Sequence, residues 1–220
     1  ATKGVFFGTH SIGLARTVAD RIYTVRRENE KSEVKEYETT PRLPELLGEL
    51  SFSNHGDLGF NKVLLVEGVT DIKTIQQFLR LYKKDHHVLL VSLGGSQFIR
   101  ADVECELAEL KRITNDVYAL IDSERDKEDA PLATERQSFV DICKKLGIKC
   151  HVLKRRAIEN YFTDKAVKVI KGNKYDSLQP YQKLDAASHG WAKKENWRMA
   201  RAITLEEINS TDLGKFLESI

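Results

Sequence analysis

The chain has 220 residues, room for one sizeable core and an appendage at the usual ~100–200 residues per domain. Hydrophobic residues make 41% and charged residues 31%, with 4 Pro and 13 Gly, which excludes collagen-like, mucin-like and wholly disordered chains. The longest apolar runs, Val63-Leu64-Leu65-Val66 and Val88-Leu89-Leu90-Val91, are strand-sized and fall well short of the ~18 residues of a membrane span, so no membrane partner is expected.

The three cysteines, Cys105, Cys143 and Cys150, lie in no CxxC or Cys/His spacing. That argues against a disulfide framework or a structural zinc and for a reducing cytoplasm. There is no signal peptide, and the chain opens at Ala1 almost directly on a strand-like run, which predicts an excised fragment of a longer protein.

In chain order, residues 1–50 read as a separate piece. It holds a strand Gly4–Phe7, a helix Ser11–Asp20, a strand Ile22–Val25 and a charged, hairpin-like stretch Arg26–Thr39. Residues 51–61, around Asn54-His55-Gly56-Asp57, read as a linker, and the main domain spans 62–220. There a strand Lys62–Glu67 leads to a helix from Asp71 to about Lys84, with Thr70 as its expected N-cap and Ile72, Ile75, Phe78, Leu79 and Tyr82 on one face. A strand His87–Leu93 ends at Gly94-Gly95, followed by a helix of about Gln97–Ile113 and a strand Val117–Asp122. A helix Leu132–Leu146, stopped by Gly147, and a strand Ile148–Leu153 complete the alternation. Beyond Phe162 the pattern turns helical and irregular: a helical insertion or subdomain is expected at about 163–205, with an amphipathic stretch Trp191–Ile203 and a last helix capped by Thr211.

Apolar strands alternating with amphipathic helices predict an α/β, Rossmann-like fold, a mostly parallel sheet covered on both faces. Such sheets bind ligands at the carboxyl ends of their strands, where Glu67, Gly94-Gly95 and Asp122 fall. Asp71 follows Glu67 by four residues across a turn eased by Gly68, and Glu124 follows Asp122 by two. Four ionised carboxylates on one sheet edge repel one another unless a cation compensates them, which predicts a divalent metal site. The charge distribution allows two readings. Residues 101–143 hold 12 Asp/Glu against 5 Lys/Arg, and residues 144–201 hold 15 Lys/Arg against 5 Asp/Glu. These are either two solvated faces or a metal-binding cluster beside a phosphate-binding surface.

The segments Val63-Leu64-Leu65-Val66-Glu67-Gly68-Val69-Thr70-Asp71, Ser92-Leu93-Gly94-Gly95 and Leu120-Ile121-Asp122-Ser123-Glu124-Arg125-Asp126 together resemble a TOPRIM domain, the metal-binding fold of topoisomerases, primases and certain nucleases. Arg155-Arg156-Ala157-Ile158-Glu159-Asn160-Tyr161 resembles the additional acidic element of the OLD (overcoming lysogenization defect) family nucleases. Phe6-Phe7-Gly8-Thr9-His10-Ser11, with Ala19-Asp20-Arg21-Ile22-Tyr23-Thr24-Val25, resembles the end of an ABC-type ATPase, His10 standing where the switch histidine would be. OLD proteins join such an ATPase to a TOPRIM nuclease. No G-x-x-x-x-G-K-[ST] loop occurs, so no ATP binding by that route is expected of these residues, and His10 would be orphaned.

The resemblance implies a DNA endonuclease that nicks and cuts duplex DNA by two-metal hydrolysis with Mg²⁺ or Mn²⁺, Ca²⁺ being an alternative. It implies that Glu67 and Asp71 bind one metal, that Asp122 touches both, and that Glu124 and Glu159 hold the second. Ser123 and Asp126 are further candidate ligands. Glu124 departs from the commoner D-x-D pattern. Lys193 or Lys194 would neutralise charge growing on the phosphate, the register leaving both open. Lys154, Arg155, Arg156 and the Gly94-Gly95 turn are candidate DNA contacts, and Lys165, Lys168, Lys171 and Lys174 suggest a DNA-contacting lid. The implied partners are DNA, the ATPase region of the same chain and a second copy in a homodimer, in a prokaryotic or phage cytoplasm. The competing readings are a non-catalytic DNA-binding or assembly module and a topoisomerase- or primase-type domain. For the topoisomerase, Tyr118, Tyr161 and Tyr181 lack the context of a transesterifying tyrosine.

Overall fold

The computed structural model describes residues 5–8, 21, 23–28, 31–36, 60–95 and 103–220. His10, the expected helix Ser11–Asp20, the linker around 54–57 and the start of the helix expected from Gln97 lie outside these residues.

In the N-terminal piece, β1 (Tyr23–Glu28) pairs antiparallel with β2 (Lys31–Glu36). The register sets Arg26 opposite Glu33 and Glu28 opposite Lys31. The expected strand thus runs on to Glu28, and the charged stretch supplies its partner. Residues 5–7, the described part of the strand expected over Gly4–Phe7, have no regular structure: among the described residues none pairs with their backbone.

The main sheet holds β3 (Lys62–Val66), β4 (Val88–Ser92), β5 (Val117–Ile121) and β6 (Lys149–Val152). Its spatial order is β4-β3-β5-β6, with every neighbouring pair parallel. Parallel strands need crossovers, and these supply the helices that cover both faces. They include α1 (Val69–Leu81), α2 (Glu104–Ile113) and α3 (Thr134–Lys145). After the sheet come α4 (Asp164–Lys171), α5 (Asn196–Ala202), α6 (Leu205–Asn209) and α7 (Asp212–Ser219).

Because side chains alternate along a strand, one apolar run feeds two cores. Leu64, Val66, Leu90, Tyr118 and Leu120 face Ile72, Ile75, Phe78 and Leu79 of α1. Val63, Leu65, Leu89, Val91, Ala119 and Ile121 face Leu107 and Leu110 of α2 and Phe139 and Cys143 of α3. The C-terminal segment belongs to the first of these cores: Val167, Trp191, Met199, Ala200, Leu213 and Leu217 all pack into it. Residues 163–205 therefore cover one face of the sheet, with α5 lying on α1.

Helix ends follow their local chemistry. Thr211 caps α7, its hydroxyl accepting the Gly214 N–H at 3.0 Å, as its position predicts. Thr70 does not cap α1. The helix starts two residues earlier, at Val69, and Asp71 reaches back to accept the Gly68 N–H at 2.8 Å. A carboxylate in the first turn satisfies an orphan donor and meets the positive end of the helix dipole, which a hydroxyl cannot do as well. Among the described residues no helix is long and apolar enough to cross a membrane.

Candidate metal centre

The chain leaves β3 for β4 on one side and returns to place β5 on the other, so strand order reverses between β3 and β5. The crevice beyond their carboxyl ends is where open α/β sheets bind ligands. Glu67 follows β3 and Asp122 follows β5, and the two are joined directly: the Asp122 N–H donates to Glu67 Oε1 at 2.7 Å. Arg136, on the first turn of α3, closes the crevice from the side. Its guanidinium pairs with both Glu67 oxygens, Nη2 to Oε2 at 3.2 Å and Nη1 to Oε1, and Nη1 also donates to the Asp122 carbonyl at 2.6 Å.

Glu159 arrives from a 3₁₀ turn, Ile158–Tyr161, docked onto the same point because the Ile158 N–H donates to Asp122 Oδ1 at 3.1 Å. Glu159 Oε1 accepts from Asn196 Nδ2 at 3.2 Å and pairs with Lys193 Nζ at 3.0 Å. Asp71 comes from the first turn of α1, held by its bond to Gly68. Behind Glu67, the Gly94-Gly95 turn at the end of β4 takes two successive positive φ angles, 89° and 100°. This lets the Gly95 N–H reach the Glu67 carbonyl at 2.7 Å. The turn thus buttresses the Glu67 backbone.

The electrostatics are those of crowded acids. Burial pushes Asp71 up to about 6, the nearby Glu159 and Glu67 charges adding to it against the Gly68 hydrogen bond and Lys193. Asp122 is raised well above the usual carboxylate range by burial and by Glu67, Asp71 and Glu159. Burial alone would lower the Lys193 ammonium, yet Glu159, with Asp122 and Asp71 nearby, holds it up at about 12. Glu67, Asp71, Asp122 and Glu159 are all nearly buried, and among the described residues the cationic side chains that engage them are Arg136 and Lys193. Two cations do not balance four carboxylates. The all-oxygen donor set fits a hard divalent cation of the Mg²⁺, Mn²⁺ or Ca²⁺ kind. Among the described residues, no three His, Cys, Asp or Glu groups stand as a ready-made ligand set, and Arg136, Gly68, Asn196 and Lys193 hold several of the carboxylate oxygens.

The remaining candidates are placed differently. Glu124 sits in a left-handed conformation, φ 53°, and its carboxylate pairs with Arg156 rather than with the cluster. Asp126 is also on Arg156, at 2.7 Å, and the Ser123 hydroxyl donates to the Arg155 carbonyl at 2.9 Å. Arg156 further donates to the Glu124 and Arg125 carbonyls at 2.9 and 3.1 Å, and so ties down the loop after β5. Arg155 lies over the Tyr161 ring, 5.0 Å from its centroid, and donates to the Asn160 carbonyl. Both arginines are thereby committed within the fold, while Lys154 is exposed. Of the lysine pair, Lys193 faces the carboxylates and Lys194 is exposed.

Three residues of the site went unread in the sequence. Arg136 lies on the buried stripe of α3 with Phe139 and Cys143, and Asn196 on that of α5 with Met199 and Ala200. A polar residue at the i, i+3, i+7 or i, i+3, i+4 spacing of an apolar stripe is the signal that marks them. Trp191, which donates to Asn196, carries no such mark. Compared with family models, curated proteins and solved structures, the chain finds no match.

Proposed function

We propose that residues 62–220 form a TOPRIM nuclease domain of the OLD kind, hydrolysing DNA phosphodiesters with two divalent cations, Mg²⁺ or Mn²⁺, within a longer ATPase–nuclease. One observation carries this reading. Four buried carboxylates meet at the strand-order reversal with too few cations among the described residues to balance them.

Glu67, Asp71, Asp122 and Glu159 are the residues that would hold metal, and Glu124 would join them only by releasing Arg156. Bound there, divalent cations supply a hydroxide near neutral pH and charge neutralisation at the phosphate. The chain's own groups do the rest. Arg136 holds the Glu67 carboxylate in one orientation, and the Ile158 N–H does the same for Asp122. The Lys193 ammonium, half exposed, reaches Glu159 at its inner side and solvent at its outer side. It is therefore placed to donate to a non-bridging phosphate oxygen as charge grows there.

The test is conversion of supercoiled plasmid to nicked and linear forms at low salt with Mg²⁺, Mn²⁺, Ca²⁺ or EDTA. Cleavage is expected with Mg²⁺ or Mn²⁺, absent in EDTA, and at least ~100-fold slower in Asp122→Ala. Cleavage unaffected by Asp122→Ala overturns the reading. A second reading, a non-catalytic DNA-binding or assembly module, is favoured by the bidentate Arg136–Glu67 pair, which neutralises one carboxylate without metal. It predicts salt-sensitive DNA binding, indifferent to EDTA, and no cutting with any metal.

A further inference from the structure

We infer that Trp191 and Asn196 form an orientation lock for Glu159, which makes them positioning residues of the carboxylate cluster. The catalytic consequence rests on the nuclease reading, whereas the lock itself rests on geometry alone. Asn196 is completely buried at the start of α5. A primary amide has two ends of nearly the same shape, a carbonyl that accepts and an NH₂ that donates, so a neighbour of fixed polarity has to decide which end faces the acid. Trp191 is that neighbour. An indole N–H can only donate, and Trp191 Nε1 lies 2.9 Å from Asn196 Oδ1.

With its carbonyl end claimed, Asn196 presents Nδ2 to Glu159 Oε1 at 3.2 Å. The opposite orientation would set a carbonyl oxygen against a carboxylate, acceptor on acceptor. Trp191 cannot swing away easily, because its ring is buried in the core beside Phe162, with centroids 6.4 Å apart. The same short stretch delivers Lys193, whose Nζ lies 3.0 Å from that same Glu159 Oε1. Two donors therefore converge on one carboxylate oxygen, and Oε2 is left uncommitted by either. Residues 191–196 form one device that turns Glu159 so that a single oxygen serves the cluster. Partners of this kind, one bond removed from a metal, change metal affinity or activity by about 10–100-fold when lost.

Trp191→Phe keeps an aromatic ring in the core and removes the donor, together with part of the indole's packing. In this variant plasmid cleavage should lose about 10-fold in kcat, and the Mg²⁺ concentration for half activity should rise by a similar factor. The KM for DNA should stay unchanged and the melting temperature should stay within a few degrees. Asn196→Asp, which sets a carboxylate against Glu159, should be more severe. A second readout needs no activity. The chain has 2 tryptophans, so its NMR spectrum holds two indole N–H signals. That of Trp191 should exchange slowly with solvent, and Asn196→Ala should speed its exchange at least ~10-fold, the donor then having no acceptor.

The lock is overturned if the Trp191 indole proton exchanges as fast in the wild type as in Asn196→Ala, or if Trp191→Phe keeps wild-type kcat and Mg²⁺ dependence in an enzyme that cuts. If the wild type fails to cut whatever metal is supplied, the nuclease reading falls by itself. Indole exchange alone then decides for or against the lock.

Discussion

The guanidinium of Arg136 is the counter-charge on which Glu67 depends, both groups being nearly excluded from solvent. Removing one partner of such a pair leaves the other charged and desolvated, which costs about 3–5 kcal/mol, far more than the pair contributes against a hydrophobic replacement. Arg136→Ala should therefore lower stability by about that amount in chemical denaturation. Adding Glu67→Gln to it should restore part of the loss, because the stranded charge is gone. A strictly additive double mutant would mean that the two groups do not share one interaction. Lys cannot copy the arrangement, since one ammonium does not span both Glu67 oxygens and the Asp122 carbonyl.

At the level of elements, one carboxylate gathers the polar contacts between the last helix and the end of the sheet. Asp212, on the first turn of α7, accepts from the Lys154 N–H at 2.9 Å and the Tyr161 hydroxyl at 2.8 Å, and lies 3.0 Å from His151 Nε2. Burial pushes Asp212 upward, but these hydrogen bonds outweigh it and hold the group at about 2. A folded-state value below the unfolded one means that Asp212 contributes stability above pH ~4, which is lost as pH falls towards 2. Holding this carboxyl down at about 2 contributes roughly 2 kcal/mol. The stability difference between wild type and Asp212→Asn should be near that size at pH 6 and should shrink steadily between pH 4 and 2; a difference independent of pH would remove Asp212 from this role. The same helix meets α6 at Gly214, where an added Cβ would stand 2.0 Å from the Ile208 carbonyl oxygen. Gly214→Ala should accordingly force α7 away from its seat, with a loss of several kcal/mol on the scale of overpacked cores.

For the whole molecule, what could be read in advance follows from which signals are local. The strands were legible because runs such as Val63–Val66 and Val88–Val91 are buried on both faces and so carry no polar interruption. Glu67 and Asp122 were legible because a carboxylate that ends such a run is conspicuous. Arg136 was not, because it meets Glu67 across 69 residues of chain, a juxtaposition made only by strand order. The partner of Glu124 was not legible for the same reason: Arg156, which pairs with it, lies 32 residues away. Local chemistry thus identified the acids, and topology decided which of them meet. That meeting has a consequence for the folded protein's response to pH. Burial and neighbouring charge hold Asp71 at about 6 and raise Asp122 as well, so the folded state takes up protons more readily than the unfolded one. The sign is opposite to that of Asp212: this cluster's contribution to stability is greatest below the unfolded value near 4 and is lost as pH rises to about 6. Above that range Asp71 is ionised among neighbouring carboxylates that repel it, and a cation binding only the folded state relieves the repulsion by mass action. Millimolar Mg²⁺ should therefore raise the melting temperature by several degrees at pH 7.5, and the gain should fade below pH 6 as protons compete for the same oxygens. Asp122→Asn should abolish the gain at every pH. A Mg²⁺ effect equal at pH 5 and 7.5, or one that persists in Asp122→Asn, would place the cation elsewhere on the molecule.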